Sequence, residues 1–127
     1  MREILFRGKR SDNGNWIEGH LFARINDCFI VPLPVITSKS LVDGETVGQF
    51  TGLKDRNGKK VFEGDVVHCV SMTDMANMVV IFEDGEFRMV LCEKYKDYIP
   101  GCGFYAIRCF DKEVIGNIHD NPELLEQ

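Results

Sequence analysis

The sequence predicts a mostly β protein, built as a small barrel or as two packed antiparallel sheets, with a short C-terminal helix. Short runs of β-branched and aromatic residues alternate with turn residues along the chain, which is typical of hairpins in a sandwich or barrel. Three turns carry strong hairpin dipeptides, at Asn13-Gly14, Asn57-Gly58 and Asp84-Gly85. Asn121-Pro122-Glu123 is a typical helix start. We therefore expect about eight to ten short strands.

The first three strands are expected at residues 3–9, 16–24 and 28–31. The turn at Asn13-Gly14 joins the first two, because glycine supplies a positive φ at low cost. Pro32 and Pro34 should end the third strand, since proline has no amide to donate to a sheet. Alternation along the second strand places Trp16, Glu18, His20 and Phe22 on one face, and Ile17, Leu21 and Ala23 on the other.

The middle of the chain combines a connection, a hairpin and a corner. Residues 33–45 are predicted to be a connection whose clearest turn signal is Asp43-Gly44, and a short strand follows at 47–51. The turn at Asn57-Gly58 then leads to a bulge or corner at 63–65 and a strand at 66–72. The corner also resembles the opening of small SH3-like barrels, so residues 61–92 are a candidate SH3-like element.

The second half contains the clearest hairpin, formed by residues 78–82 and 86–92 around Asp84-Gly85. Residues 93–99 permit one or two helical turns, which Pro100-Gly101 would end. Two further strands are expected at 104–109 and 113–119. At 127 residues the chain fits a single domain, residues 1–127, with no linker or repeat.

Charge and composition restrict the class of function. The apolar fraction is 44% and the net charge is −5, which argues against loose, sequence-independent binding of nucleic acid. The apolar run at residues 4–6 is too short for a signal peptide, and no stretch approaches the ~18 apolar residues of a membrane span. Five cysteines without a Cys-x-x-Cys pair indicate reduced thiols. We expect a cytoplasmic protein without a membrane partner.

The segment around residues 52–67 is the densest in glycine and charge. A functional interpretation groups Asp55, Glu63 and Asp65 as oxygen ligands for Mg²⁺ or Ca²⁺, but the spacing of this segment matches neither the EF-hand loop nor a phosphate-binding Gly-Lys-Ser/Thr loop. A structural role is favoured instead, with the carboxylates bonding turn amides and the glycines taking unusual backbone angles. That role is assigned to Gly52, Leu53, Asp55, Asn57, Gly58, Glu63, Gly64 and Asp65. We predict no catalytic residue, metal or cofactor.

Two weaker groupings leave other functions open. Cys102 lies between two glycines and could be an exposed nucleophile, but no histidine can be placed beside it from the sequence. Cys69 and His68 are adjacent, so they should point to opposite faces of one strand. Aromatic residues of the second half lie near Arg88, Lys94, Lys96 and Arg108, a composition that could hold single-stranded nucleic acid or simply build a core.

Three segments resemble the YopX protein family of phages and prophages of low-GC Gram-positive bacteria. They are Arg2-Glu3-Ile4 with Phe6-Arg7, the stretch from Val47 to Val67, and the stretch from Ile115 to Leu125. The resemblance implies a viral or prophage origin, action in the host cytoplasm and self-association, but no reaction.

The function expected from these observations is that of a non-enzymatic accessory protein, a homo-oligomer that binds a host or phage protein. The first alternative is a nucleic-acid-binding β-barrel. The second is a cysteine- or metal-dependent hydrolase.

Overall fold

A computed structural model describes residues 3–32, 39–70, 75–95, 104–106 and 111–126. Within them the fold is mostly β, as the sequence predicted, with ten strands in two antiparallel sheets. The strands are β1 (Phe6–Arg10), β2 (Trp16–Ala23), β3 (Cys28–Pro32), β4 (Ser40–Lys54), β5 (Lys60–Phe62), β6 (Asp65–Val70), β7 (Met75–Glu83), β8 (Glu86–Leu91), β9 (Phe104–Ala106) and β10 (Asp111–Asn117).

The chain divides into two compact units, an N-terminal unit, Met1–Gly52, and a C-terminal unit, Leu53–Gln127. That the whole chain acts as one domain stays a prediction. The first sheet has the order β1-β2-β3-β4-β5, and β4 also pairs with β1, so strands β1 to β4 form a ring. The second sheet has the order β10-β6-β7-β8-β9.

The N-terminal unit has a small set of buried apolar side chains. Leu5, Ile30, Val42 and Phe50 are each at most 5% exposed. Val42 is central because it pairs with Cys28 of β3 on one side and with Arg10 of β1 on the other. Burial of one such side chain stabilises a fold by about 1.5–3 kcal/mol, so this set stabilises the N-terminal unit.

The structure corrects several boundaries, since β1 starts at Phe6, β7 at Met75 and β10 at Asp111 rather than at residues 3, 78 and 113. The largest correction is at β4, because the predicted connection at 33–45 ends earlier than expected. β4 starts at Ser40 and continues to Lys54, so it includes the predicted turn at Asp43-Gly44 and the predicted short strand at 47–51. Instead of a turn, this segment forms a bulge within the strand, in which residues 44–47 lie opposite Gly8 alone. The Thr46 hydroxyl donates to the Asp43 carbonyl at 2.6 Å and accepts the Lys9 amide at 2.9 Å. These bonds keep the strand continuous.

The second sheet is buried on both faces. One face carries Val67, Cys69, Met78, Val80 and Met89, and Val61 of β5 packs with them as the first buried cluster. The opposite face carries Val66, Val79 and Cys92, with Tyr95, Ile118, Leu124 and Leu125 packed against them. Neighbouring residues of β6 therefore alternate between the two clusters, as the predicted strand at 66–72 requires.

The hairpin between β7 and β8 is confirmed. Glu83 pairs with Glu86, and the two intervening residues both have positive φ, 51° at Asp84 and 78° at Gly85. A two-residue turn with two positive φ angles has a backbone twist that matches the twist of the strands it joins. The candidate SH3-like region thus contains three consecutive antiparallel strands, β6, β7 and β8.

Two short helical segments complete the described chain. The ambiguous region after β8 begins with one α-helical turn, Cys92–Tyr95, and its remainder at 96–99 lies outside the described residues. The predicted C-terminal helix is a 3-10 helix, Pro122–Glu126. The Asn121 side-chain oxygen accepts the amide of Asn117 at 3.2 Å and so closes the turn that precedes this helix. No helix within the described residues has the length and apolar character that crossing a membrane requires.

Candidate functional site

The turn that opens at Asp55 is held by a single carboxylate. One oxygen of Asp55 accepts the amides of Asn57 and Lys59, each at 2.9 Å. The other accepts the amide of Val114 in β10, also at 2.9 Å. Gly58 has a φ of 82°, and its amide donates to the Asp55 carbonyl at 3.0 Å. The carboxylate therefore ties the β4–β5 turn to the second sheet.

The charge state of Asp55 follows from these bonds. Burial by itself would raise the pKa of the Asp55 carboxyl, because a low-dielectric surrounding disfavours the charged form. The amide bonds from Val114, Lys59 and Asn57, helped by the positive charge of Lys59, outweigh burial and hold this pKa below its ordinary value. Asp55 is thus a permanent anion at neutral pH whose oxygens both accept backbone amides.

The corner at 63–65 is also built into the fold. Asp65 is 1% exposed and accepts the amide of Phe62 at 2.8 Å. Gly64, with a φ of 93°, donates its amide to the Val80 carbonyl and accepts the amide of Ile118 through its own carbonyl. Burial raises the pKa of the Tyr95 phenol, and the negative charge of Glu63 raises it further.

The remaining residues of this segment continue the same hairpin. Leu53 packs against the first buried cluster of the second sheet, and Gly52 has a φ of 88°. Asp55, Glu63 and Asp65 do not come together as a ligand set, since no group of three His, Cys, Asp or Glu suited to a metal exists among the described residues.

The described thiols and the histidine of β6 are packed side chains. Cys69 is 1% exposed and lies 3.8 Å from the sulfur of Met89. Burial raises the pKa of Cys69, and it raises that of Cys92 to about 11. His68 faces away from Cys69, as predicted, and its Nδ1 lies 2.8 Å from the side-chain oxygen of Asn77. Cys102, the nucleophile of the hydrolase alternative, lies outside the described residues.

Native protein at pH 8 should therefore leave Cys69 and Cys92 unmodified by iodoacetamide, because only a thiolate in contact with solvent reacts. Cys28, which is half-buried, is expected to react faster than either. Peptide mapping by mass spectrometry measures each site, with urea-unfolded protein as the control in which all thiols react. Rapid modification of Cys69 or Cys92 in the native protein would contradict these buried positions.

In β8, the aromatic and basic residues of the mixture predicted for the second half lie on opposite faces of the strand. Phe87 packs beside the first buried cluster and contacts Phe82, with ring centroids 5.0 Å apart. Arg88, the next residue of β8, points to the opposite face and bonds Glu86. Lys96 and Arg108 lie outside the described residues.

A mixed aromatic and basic surface exists instead in the N-terminal unit, where the sequence analysis did not place one. We call it the outer aromatic face, and it consists of Trp16, Phe22 and Phe29 with the cations Arg7, Lys9, Arg24 and Lys39. Trp16 and Phe22 lie on the face of β2 that the sequence predicted them to share, and Phe29 is the cross-strand partner of Phe22. The sequence signal for this surface was the alternation along β2, which separates Trp16 and Phe22 from Ile17 and Leu21.

The cations of this surface lie over its rings. The Lys39 ammonium is 4.5 Å from the centre of Phe29 and 5.4 Å from that of Phe22. The Arg24 guanidinium is 5.4 Å from the centre of Phe29. Arg7 and Lys9 lie 4.6 and 5.7 Å from the centre of Trp16. Each such contact is worth about 0.5–1 kcal/mol at an exposed site, so it orients the exposed Arg24 and Lys39 without fixing them. Arg7, in contrast, is buried.

This surface is open to solvent and borders a cleft. Phe22 is 50% exposed and Leu41, the cross-strand partner of Phe29, is 45% exposed. The cleft has a volume of about 330 Å³ and is lined by Arg10, Ser11, Asp12, Lys39, Ser40 and Leu41. Lys39 belongs to both the face and the cleft, and Leu41 of the cleft lies across from Phe29, so the cleft adjoins the outer aromatic face.

Together these features define a small protein of two antiparallel β-sheets whose central carboxylates serve the fold and whose exposed aromatic surface lies on the first sheet. The family model described as YopX protein matches residues 5–126, and the chain belongs to the YopX family. Its fold is similar to that in the crystal structure of protein EF1440 from Enterococcus faecalis. The two share 23% identity with a TM-score of 0.56, over 98% of this chain and 99% of that one. A comparison with curated proteins found no match.

Proposed function

We propose that the protein is a non-enzymatic binding module of phage or prophage origin that self-associates in the host cytoplasm. Its membership in the YopX family supports the phage-type origin. The observation that supports binding rather than catalysis is the outer aromatic face, where half-exposed Phe22 and Leu41 continue across β2, β3 and β4. Contiguous exposed apolar surface rimmed by polar residues is typical of interaction sites.

The carboxylates of the central segment support the same proposal. The oxygens of Asp55 accept backbone amides, and buried Asp65 accepts the amide of Phe62. A general base or metal ligand needs an oxygen directed at substrate, water or ion. These two groups are directed at the backbone, so their oxygens hold the fold.

Self-association is tested by light scattering coupled to size-exclusion chromatography at micromolar concentration. We expect a mass of two or more times the 14.5 kDa of one chain. A strictly monomeric protein across that range would contradict self-association.

Partner binding is tested by affinity capture from host lysate, before and after nuclease treatment. Phe22→Ala should reduce the captured material, whereas Phe82→Ala, which removes an equally exposed ring from the other sheet, should not. Equal capture by both variants would contradict a role for the outer aromatic face.

A further inference from the structure

We propose that Asn13 is a site of spontaneous deamidation, at which the turn between β1 and β2 converts slowly to aspartate and isoaspartate. The chain contains two Asn-Gly pairs, Asn13-Gly14 and Asn57-Gly58, and both lie in exposed turns. Glycine after asparagine permits this reaction because it has no β-carbon to obstruct attack by its own amide nitrogen. The modification needs no partner, so it is independent of the proposed binding function.

The reaction consumes only water and releases ammonia. The Gly14 amide nitrogen loses its proton to hydroxide, attacks the side-chain carbonyl carbon of Asn13 and forms a carbon–nitrogen bond. The tetrahedral intermediate expels the side-chain nitrogen, which takes a proton from water and leaves as ammonia. Water then opens the succinimide at either of its two carbonyls, giving aspartate or isoaspartate. Negative charge therefore develops on Oδ1 of Asn13 in the first step.

A backbone donor already points at that oxygen. The Asn15 amide donates to Asn13 Oδ1 at 2.9 Å. A hydrogen bond to the oxygen on which charge develops lowers the barrier, because it is stronger in the intermediate than in the starting amide. The same bond folds the side chain of Asn13 back over the peptide that carries the attacking nitrogen, which favours a reactive approach.

The second pair is held more tightly by its surroundings. Its side chain bonds through nitrogen, since Asn57 Nδ2 donates to Glu113 Oε1 at 3.4 Å. The amides of Asn57 and Lys59 donate to the Asp55 carboxylate, each at 2.9 Å. The Gly58 amide lies between them in sequence and donates to the Asp55 carbonyl at 3.0 Å. Attack by the Gly58 nitrogen therefore distorts a turn whose carboxylate also holds β10.

The turn at Asn13 is less firmly held. The Gly14 amide donates to the Arg10 carbonyl at 2.9 Å, a bond equivalent to that of the second glycine, so its loss is a cost common to both turns. The neighbouring carboxylate, that of Asp12, accepts the Arg10 guanidinium at 3.1 and 2.8 Å. The Gly14 nitrogen therefore leaves its bond without disturbing a buried carboxylate, in contrast to the turn at Asp55.

Deamidation changes the part of the N-terminal unit that carries the cleft. The product adds a negative charge next to Asp12, which lines that cleft together with Arg10. Isoaspartate also inserts an extra carbon into the backbone between Asn13 and Gly14, which strains the bond from the Arg10 amide to the Asn15 carbonyl. The cleft therefore becomes more acidic and the β1–β2 hairpin weaker as the protein ages.

The test is incubation of the full-length protein in mildly alkaline buffer, with peptide mapping by mass spectrometry at intervals. Chromatography separates the aspartate and isoaspartate forms of each peptide. In the native protein we expect Asn13 to deamidate at least about tenfold faster than Asn57. In urea-unfolded protein neither turn exists, so the two rates should agree within about threefold.

Variants test the two structural causes separately. Asn15→Pro removes the amide that donates to Asn13 Oδ1 and should slow deamidation there about tenfold, whereas Asn15→Ala keeps the amide and should change the rate less than about twofold. Asp55→Asn weakens the anchoring of the second turn, so Asn57 should deamidate about threefold faster while Asn13 is unchanged. If Asn15→Pro does not fold, the ratio between the two native sites still decides.

Three results would overturn the proposal. The first is an equal rate at the two pairs in the native protein, and the second is faster deamidation of Asn57. The third is a native protein in which Asn13 stays intact over the time that the urea-unfolded protein needs to deamidate fully.

Discussion

Replacement of Asp55 by alanine is expected to lower the free energy of unfolding by about 3 kcal/mol. The change removes the acceptor of three backbone amides, those of Asn57, Lys59 and Val114. Asp55 is 8% exposed, so water replaces these bonds poorly. Hydrogen bonds to a charged acceptor stabilise a fold by about 1.5–3 kcal/mol each, but the exposed part of the turn recovers some of that loss. Urea denaturation followed by circular dichroism measures the effect.

Two further variants make the result specific to the carboxylate. Asp55→Asn keeps one oxygen for two amides but turns an NH₂ group toward the amide of Val114, so it should cost about half as much as alanine. Asp12→Ala removes an exposed carboxylate whose partner is the Arg10 guanidinium at 2.8 Å, and it should cost less than about 1 kcal/mol. An Asp55→Ala protein as stable as the Asp12→Ala protein would show that the turn holds without its carboxylate.

The lowered pKa of Asp55 gives the same prediction a pH dependence. Because the folded pKa lies below the unfolded value of 3.8, the charged carboxylate stabilises the fold fully above that value. This contribution is lost as the pH falls through the folded pKa. The stability difference between wild type and Asp55→Asn should therefore be constant from about pH 7 to 5 and shrink below about pH 4. A difference that grows with acid would contradict the sign.

The sequence predicted the elements whose signal is local. Asp84-Gly85 and Asn57-Gly58 each form the turn expected of them, because the dipeptide itself supplies the unusual backbone angles. Asp55 was expected to bond the turn that it opens, and it does so. Its third bond, to Val114, lies 59 residues away and could not be read from local spacing.

The features that the sequence analysis missed depend on pairing between distant strands. Asp43-Gly44 carries a turn signal, and only the pairing of β4 with β1 turns it into a bulge within a long strand. The outer aromatic face likewise exists because β3 pairs with β2 in the register that sets Phe29 beside Phe22. Alternation along β2 showed which rings share a face, but not what lies across the strand from them.

Gly19 is the position where substitution by alanine should have the largest effect on the N-terminal unit. A β-carbon there would lie 1.9 Å from the carbonyl oxygen of Val31 and 2.6 Å from its carbonyl carbon. Both atoms belong to the backbone of β3, in which Pro32 is the registered partner of Gly19. Such a contact cannot be relieved by a side-chain rotation, so either β2 or β3 must leave its position in the sheet.

We therefore expect Gly19→Ala to destabilise the protein by more than about 4 kcal/mol or to prevent folding of this unit. Gly44→Ala is the matched control, because its β-carbon would meet only the Cys28 sulfur, at 3.3 Å, and should cost at most about 1 kcal/mol. Urea midpoints compare the two proteins, and refolded material is assayed by circular dichroism if Gly19→Ala is recovered insoluble. Equal midpoints would mean that β2 and β3 do not approach as closely as their register requires. A glycine within a strand is often a point of weakness, but here it permits the backbone contact that sets Phe22 and Phe29 side by side.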